Sequence, residues 1–322
     1  MFKEVCYIDL GGRNLSNVRY GYACLNMTLG KQGGFRSMIK RTWLEKGLPH
    51  ASKLSLENVK ILRGIVEWNS KNGFEVYRMT SDLFPWASEY EMESLPDWRE
   101  INDVLVDVGN IAKRTNQRLT FHPGQFNCLT SPHEHVVLNC VKDLTIHGKI
   151  MDYIGLSRSP DALINIHAGG AHGDRVSAAE RFCKNFELLP DSVKTRLTVE
   201  NDDKESLFST RDLYEMIHTR VGIPIVHDFH HAKFRKSADM NEEEELRLAA
   251  STWKNGIRQL THYSESASLR EGKDVIPQAH SEYVDGPVSN YGLTFDCDIE
   301  AKAKELAVIS LRNKEMQNKS AA

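Results

Sequence analysis

The chain has 322 residues and a formal net charge of −3, from 41 lysine and arginine residues against 44 aspartate and glutamate residues. This balance excludes a uniformly basic protein that coats nucleic acid. Hydrophobic residues make up 40% and charged residues 26%, which is typical of a folded enzyme and excludes a disordered or collagen-like chain.

Short runs rich in β-branched and aromatic residues alternate with longer amphipathic stretches along the chain. The alternation predicts repeated strand–helix units and a parallel sheet. The predicted strands are 18–24, 74–81, 118–122, 162–167, 196–200, 224–228, 258–264 and 294–300. The predicted helices are 55–70, 98–115, 133–153, 177–188, 210–220, 242–254 and 301–317. Eight strands in this pattern predict an α/β fold, a TIM (β/α)8 barrel.

No proline-rich or low-complexity linker divides the chain, so we expect a single barrel domain. Its predicted bounds are 18–310, between an N-terminal lead of residues 1–17 and a C-terminal tail of residues 311–322. No run of about 18 apolar residues is present, and charged side chains interrupt the N-terminus where a signal peptide needs apolar ones. The six cysteines show no Cys-x-x-Cys spacing. We expect a reduced, cytoplasmic protein without a membrane partner.

Strands three to eight each end at or near a side chain that can bind a metal ion. These side chains are His122, His167, Glu200, Asp228, His262 and Glu300. Any one of them alone is as well explained by burial or surface exposure, but six in succession predict a site at the C-terminal ends of the barrel strands, where TIM-barrel enzymes carry out catalysis. Imidazole and carboxylate ligands without thiolate suit zinc, manganese or iron, and we expect at least two ions. His231 and His280, in loops on the same side, are candidates for a third.

Basic residues concentrate in loops that follow three of the predicted strands. The loop of residues 27–44 contains no acidic residue, a second basic stretch follows the sixth strand, and a third, with Arg270 and Lys273, follows the seventh. The candidate contacts to a DNA backbone are Asn26, Lys31, Arg36, Lys40, Arg41, Lys233 and Arg235. Ordinary solvated loops are the alternative. Local positive charge around the barrel rim can hold phosphates although the whole chain is slightly negative.

The motifs at these positions resemble those of the UV damage endonucleases, a family of DNA repair enzymes. The resemblance runs from about residue 18 to about residue 310 and includes GYACLN, YRMTSDLFP, FHPGQF, NIHAGG, VEND, HDFHH, HSEY and DIEAKAKE in the family's order. Together these motifs are highly specific, although a single short one would be weak.

The resemblance implies a multi-metal DNA endonuclease. His122, His167 and Glu200 would form one metal group, with Glu200 shared by a second group containing Asp228, His262 and Glu300. His231 and His280 would be the ligands of a third site. The cofactors would be two or three divalent ions, with manganese expected and zinc or cobalt as alternatives.

The same resemblance implies that the partner is damaged double-stranded DNA and how it is recognised. We expect the protein to be a monomer. Gln125 and Phe126 would push into the duplex as a damage probe, opposed by Tyr22, and the backbone would be cut on the 5′ side of UV photoproducts and other helix-distorting lesions. A planar side chain can replace a stacked base pair, and unstacking costs least where a lesion has already weakened the stack.

Two positions depart from the family pattern. Phe126 stands where a tyrosine is usual in the probe, which keeps the stacking surface but removes a hydroxyl group. Leu260 stands two residues before His262, where characterised members carry a lysine that becomes carboxylated and helps to join the metal ions. A leucine cannot ligate a metal ion, so the third site is the one that this departure affects.

Three alternatives remain open from the sequence. An apurinic endonuclease or a xylose-isomerase-like sugar isomerase would use a related barrel and metal site. A damaged-DNA-binding protein without catalysis would keep the probe and bind irradiated DNA without cutting it. Only the sugar isomerase has no use for the probe pair or for basic loops, so DNA binding separates it from the others.

Overall fold

The computed structural model describes residues 17–254 and 256–321, and side chains up to residue 318. In this part of the chain, eight parallel strands form a closed barrel in which each strand pairs with the next and the eighth with the first. The strands are β1 Val18–Ala23, β2 Val76–Met79, β3 Arg118–Phe121, β4 Ile164–His167, β5 Leu197–Glu200, β6 Ile225–Asp228, β7 Gln259–Tyr263 and β8 Phe295–Ile299. The predicted TIM barrel and all eight predicted strands are confirmed.

The described chain also contains eleven α-helical segments, most of which surround the barrel. They are α1 Lys40–Lys71, α2 Trp98–Arg114, α3 Glu134–Ile154, α4 Arg175–Phe186, α5 Asp191–Lys194, α6 Thr210–Leu213, α7 Thr219–Val221, α8 Phe229–Phe234, α9 Glu242–Ser251, α10 Ala267–Glu271 and α11 Glu305–Ala321. A π-helical turn, Tyr214–His218, joins α6 to α7, so the predicted helix 210–220 is one continuous but irregular element.

The strands are buried on both faces, as parallel strands of a barrel covered by helices must be. Alternate residues point into the barrel and toward the helices. Gly21 of β1 faces inward, and a Cβ at this position would lie only 2.7 Å from the side chain of Val76 on β2. The missing side chain therefore lets β1 and β2 approach and leaves interior space for the larger side chains of neighbouring strands.

The barrel interior is layered along its axis. At the N-terminal ends of the strands, the buried carboxylate of Asp296 accepts hydrogen bonds from Arg19 at 2.7 Å, Arg118 at 2.8 Å and Arg258 at 3.0 Å. Above this floor lies an apolar cluster that contains Val76, Leu163, Val226 and Leu260. The C-terminal ends of the strands, above that cluster, carry the polar and ionisable side chains that can bind a metal ion.

Three details of the domain prediction differ from the structure or lie outside it. Residues 1–16 of the expected N-terminal lead are outside the described residues. The expected tail of residues 311–322 is instead continuous with α11, because Leu311 is buried and Arg312 donates a hydrogen bond to the carbonyl oxygen of Tyr20. The expected basic loop of residues 27–44 ends earlier, since Lys40 already begins α1. Among the described residues, no helix has both the length and the apolar character needed to cross a membrane.

Candidate metal centre

The six side chains predicted from the strand ends meet at the C-terminal mouth of the barrel. Three overlapping groups among them bring their ligand atoms within 4.8 Å of one another. The groups are His122 with His167 and Glu200, Glu200 with Asp228 and His262, and His122 with His262 and Glu300. The first is a group that the family resemblance implies. The second contains three of the four members of the other implied group and lacks Glu300, which the third group joins to His122 and His262.

Glu200 lies at the middle of this cluster and is fully buried. Its carboxylate is 3.0 Å from Nε2 of His122, 3.1 Å from Nδ1 of His262 and 3.3 Å from Nδ1 of His231. Glu300, the residue directly after β8, lies 3.4 Å from Nδ1 of His262. A carboxylate with nitrogen ligands on both sides can bridge two cations, which is the role expected for Glu200.

The pKa values of these groups are shifted in different directions. Burial opposes the ionisation of Glu200, but the neighbouring His262 and His167 outweigh it and hold the pKa of Glu200 well below its ordinary value. Burial raises the pKa of Asp228 to about 7. Burial disfavours the charged form of His262, but Glu200 prevails and raises the pKa of His262 to about 9. Protons thus occupy positions that a divalent cation would take when it binds.

Several of these atoms are buried without a hydrogen-bond partner. They include Oε1 of Glu200, Oδ2 of Asp228 and both ring nitrogens of His262. Buried polar groups are almost always satisfied in folded proteins, because leaving one unpaired costs about 1 to 3 kcal/mol. A concentration of orphaned imidazole and carboxylate atoms is what a site for divalent ions requires, so the residues fit the expected ions.

A second set of side chains holds the candidate ligands in place, and sequence reasoning missed it. Asp202 lies 3.1 Å from Nδ1 of His167, and Ser264 hydrogen bonds to Nδ1 of His280 at 2.7 Å. Asn165 donates a hydrogen bond to Glu200 and accepts one from Thr198. Such partners fix the orientation of metal-binding side chains. The signal was present, because the VEND and NIHAGG motifs carry Asp202 and Asn165 two residues from a predicted ligand.

Arg78 of β2 was also missed, and it brings a positive charge to the site. Its Nη1 donates a hydrogen bond to Glu300, and its Nε lies 3.4 Å from the carboxylate of Asp298 on β8. The side chain of Arg78 is 15% exposed and that of Asp298 is 1% exposed. The candidate metal centre therefore contains a fixed cation of the protein itself.

The two expected third-site ligands lie at the edge of the cluster. His231 approaches Glu200 at 3.3 Å and Asp228 at 3.7 Å, whereas Nε2 of His280 is 3.5 Å from Glu300. Neither residue belongs to the three compact groups found among the described residues. The structure thus brings six of the eight predicted ligands into compact groups and places the other two beside them.

The candidate damage probe follows β3 at the same end of the barrel. Gln125 is exposed and the Phe126 side chain is 85% exposed, which leaves both available to a ligand above the mouth. The expectation that Tyr22 opposes them is wrong in this structure. Tyr22 is fully buried between barrel and helices, where its hydroxyl donates to Asn69 at 2.7 Å and its ring contacts Phe74.

Two of the candidate DNA-backbone contacts are buried and have internal roles. Asn26 is 1% exposed, donates to the Tyr22 hydroxyl at 2.8 Å and accepts from the backbone of Leu29. Arg235 is 8% exposed and forms an ion pair with Asp212 at 2.9 Å. Both predictions are wrong, because these polar groups are already satisfied within the protein. The other five candidates are exposed, namely Lys31, Arg36, Lys40, Arg41 and Lys233.

Comparison with known proteins shows which family the chain resembles. The family model described as UV-endonuclease UvdE matches residues 18–321. A UV-damage endonuclease of Schizosaccharomyces pombe is 36% identical over 93% of this chain and 51% of its own length. A UV DNA damage endonuclease of Bacillus cereus (strain B4264) is 34% identical over 91% of this chain and 93% of its own length.

Solved structures share the fold of this chain. The crystal structure of SacUVDE superposes with a TM-score of 0.80 at 26% sequence identity, covering 94% of this chain and 99% of that one. The 3-keto-D-glucoside 4-epimerase YcjR of E. coli superposes with a TM-score of 0.55 at 11% identity, a likeness of fold alone. Endonucleases that act on UV-damaged DNA are phosphodiester hydrolases. With its family model matched from residue 18 to residue 321 and relatives above 30% identity, the chain belongs to the UV-endonuclease UvdE family.

Proposed function

We propose that this protein is a metal-dependent DNA repair endonuclease that nicks the backbone on the 5′ side of UV photoproducts and other helix-distorting lesions. The observation that carries the proposal is the cluster of orphaned ligand atoms at the barrel mouth, with the exposed Phe126 at the same end. The damaged duplex would lie across this mouth. One chain contains all the proposed ligands and the probe, so we propose that a monomer is the active form.

The proposed ligand set is the one that the three compact groups define. His122, His167 and Glu200 would hold one divalent ion, and Glu200 would share a second with Asp228 and His262. Glu300, directly after β8, completes the set. Manganese is the ion we propose first, and zinc and cobalt suit the same ligands. When bound, such ions activate a water molecule and neutralise the charge that develops on the phosphate oxygens.

The protein's own residues would select the lesion and exclude intact duplex. Phe126 offers a planar apolar surface that can take the place of a stacked base pair, and Gln125 beside it can hydrogen bond to a base that has lost its partner. Exposed Lys31, Arg36 and Lys233 would contact phosphates without reading sequence. Selectivity would then come from the lower cost of unstacking at a lesion.

A plasmid assay tests the proposal. Supercoiled plasmid, irradiated or not, is incubated with protein and Mn²⁺, and nicked circles are counted on a gel. We expect nicking that depends on irradiation and stops with a chelator. Sequencing the cut ends should place them 5′ to the photoproducts. Nicking without irradiation, or nicking that survives the chelator, would contradict the proposal.

Three further measurements separate the alternatives. A duplex with one abasic site and no photoproduct is the substrate for an apurinic endonuclease, and turnover of a free sugar without DNA binding would indicate an isomerase. Binding of irradiated DNA without cutting, in any divalent metal, would indicate a protein that recognises damage only. The exposed Phe126 favours DNA over a free sugar, because a closed sugar pocket has no use for an 85% exposed aromatic ring.

A further inference from the structure

Arg78 places a permanent protein cation beside the carboxylates of the candidate metal centre. It projects from β2 toward β8, with Nη1 bound to Glu300 and Nε 3.4 Å from Asp298. Glu300 in turn lies within ligand distance of His122 and His262. The guanidinium is therefore adjacent to one of the three groups that could hold an ion.

Asp298 shows that this arginine is held independently of Glu300. It pairs in register with His262 of β7, so its side chain lies inside the barrel next to the ligands. It is 1% exposed, and neither of its oxygens has a hydrogen-bond partner among the described residues apart from the ionic contact with Arg78. Removing Arg78 would leave a buried charge unpaired, which makes its retention inside the barrel strongly favourable.

Strand β7 brings no carboxylate or other anion to the site. Leu260 shares the inward face of β7 with His262, one layer nearer the floor, and it is 1% exposed among Val76 and Val226. It fills that layer with apolar contacts and offers no ligand atom. The described carboxylates around the mouth are Glu200, Asp228, Glu300, Asp298 and Asp202, the last of which lies 3.1 Å from Nδ1 of His167, and they face the one guanidinium of Arg78.

The charge balance limits how many divalent ions this set can hold. Five carboxylates and one guanidinium leave four negative charges, if the histidines bind as neutral ligands. Two divalent ions would neutralise these charges. A third ion would leave two positive charges in a largely buried site, and uncompensated buried charge is costly.

We infer that Arg78 takes the place of a third cation, so that this protein binds two divalent ions per chain rather than three. The inference rests on the proposed function and specifies its metal centre. His231 and His280 then serve to orient Glu200 and Glu300 instead of binding an ion of their own.

Counting ions tests the inference without any activity measurement. The wild-type protein is stripped with chelator, saturated with Mn²⁺, freed of loose metal by gel filtration and analysed by mass spectrometry of the elements. Titration calorimetry gives an independent count. We expect two ions per chain, and three ions per wild-type chain at saturation would overturn the inference even if no variant could be made.

Variants of Arg78 then test whether its charge limits the number of bound ions. Arg78→Met keeps the length of the side chain and removes the charge, and we expect it to bind a third ion or to hold its ions at least tenfold more tightly. Arg78→Lys keeps the charge and should bind two ions as the wild type does. Arg258→Met is a matched control, since it removes another arginine that is paired with a buried aspartate inside the barrel but at the opposite end. Circular dichroism confirms that each variant is folded.

The outcomes separate this inference from the proposed function. An unchanged count and unchanged affinity in Arg78→Met would overturn the role of Arg78. A protein that holds three ions and nicks irradiated plasmid would refute the inference alone. A protein that holds two ions and leaves irradiated plasmid intact would refute the proposed function alone.

Discussion

At the scale of single residues, Phe126 is the clearest target for a test of damage recognition. Phe126→Ala removes a planar surface that is 85% exposed and makes few contacts with the protein. Because stacking on an aromatic side chain contributes about 1 to 3 kcal/mol per base, we expect discrimination between irradiated and intact duplex to fall by about tenfold or more. Competition binding followed by fluorescence anisotropy measures it.

The control for this substitution is Leu138→Ala, which truncates another exposed apolar side chain, on α3. It should leave discrimination unchanged. Metal content should be the same in both variants, since neither residue is among the candidate ligands. Equal discrimination by Phe126→Ala and the wild type would remove Phe126 from the probe.

Glu200 is the residue on which the metal centre depends most. Glu200→Gln keeps the size of the side chain but removes the negative charge that lies between His122, His262 and His231. We expect at least one ion to be lost per chain and plasmid nicking to fall by about a thousandfold. Metal analysis and the plasmid assay measure the two effects.

Glu187→Gln is the matched control for Glu200→Gln. It neutralises an exposed glutamate whose partner is Lys194 at 2.7 Å, far from the strand ends that form the mouth. It should keep both the metal content and the activity of the wild type. A Glu200→Gln protein with full metal content and full activity would disprove the bridging role.

Sequence reasoning correctly grouped the residues whose position follows from the strand pattern. It failed for residues whose position depends on the direction of the side chain. The ends of parallel strands are adjacent in any such barrel, so His122, Glu200 and the other ligands could be predicted to meet. Tyr22 could not be placed by resemblance alone. It lies between the small inward residues Gly21 and Ala23, and this alternation directs its ring toward the helices.

At the scale of elements, the loop that follows β1 is tied down by a helix from the other end of the chain. Glu305, the first residue of α11, is fully buried. Its carboxylate accepts hydrogen bonds from the backbone of Met27 at 3.0 Å and from the backbone and hydroxyl of Thr28 at 2.7 and 2.9 Å. The loop that it anchors carries the exposed Lys31 and Arg36.

We expect Glu305→Gln to loosen this loop and weaken DNA binding without changing the metal centre. Hydrogen bonds to a charged acceptor contribute about 1.5 to 3 kcal/mol, so affinity for irradiated duplex should fall by about tenfold. Glu315→Gln is the control, because Glu315 lies on the same helix and accepts a hydrogen bond from Tyr20 away from the loop. Unchanged affinity in Glu305→Gln would show that the loop takes no part in binding.

Element boundaries mark the limit of what the pattern could predict. The strands were found because their runs are short, apolar and regularly spaced. The start of α1 was missed because Lys40 to Leu44 carries charges that look like a loop, while Gly47 has a non-helical backbone and Pro49 follows within the same helix. The tail was missed because its polar sequence hides the contacts of Leu311 and Arg312 with the barrel.

At the scale of the whole molecule, the floor of the barrel is held by Asp296. Burial alone would raise the pKa of Asp296, but the hydrogen bond from Arg19 and the charges of Arg118 and Arg258 outweigh it and lower that pKa. A carboxyl whose folded pKa lies below its unfolded value stabilises the protein above the unfolded pKa, here about 4, and loses that contribution as the pH falls through the folded value.

Asp296→Asn should therefore destabilise the protein by about 3 to 5 kcal/mol at neutral pH, because it leaves three arginines without their buried counter-charge. Urea unfolding at several pH values measures the effect. The difference between variant and wild type should stay constant from pH 8 to pH 5 and narrow below about pH 4. A difference that widens in acid would contradict the assigned role of Asp296.

The closed floor also bears on how quickly ions exchange. The Asp296 cluster and the apolar layer of Val76, Leu163, Val226 and Leu260 fill the described barrel interior from below, so the mouth is the route by which ions arrive and leave. A duplex lying across that mouth would then retain bound ions kinetically. We expect irradiated duplex to slow the loss of Mn²⁺ to excess chelator, measured by stopped flow, whereas an equal release rate with and without DNA would mean that the ions leave by another path.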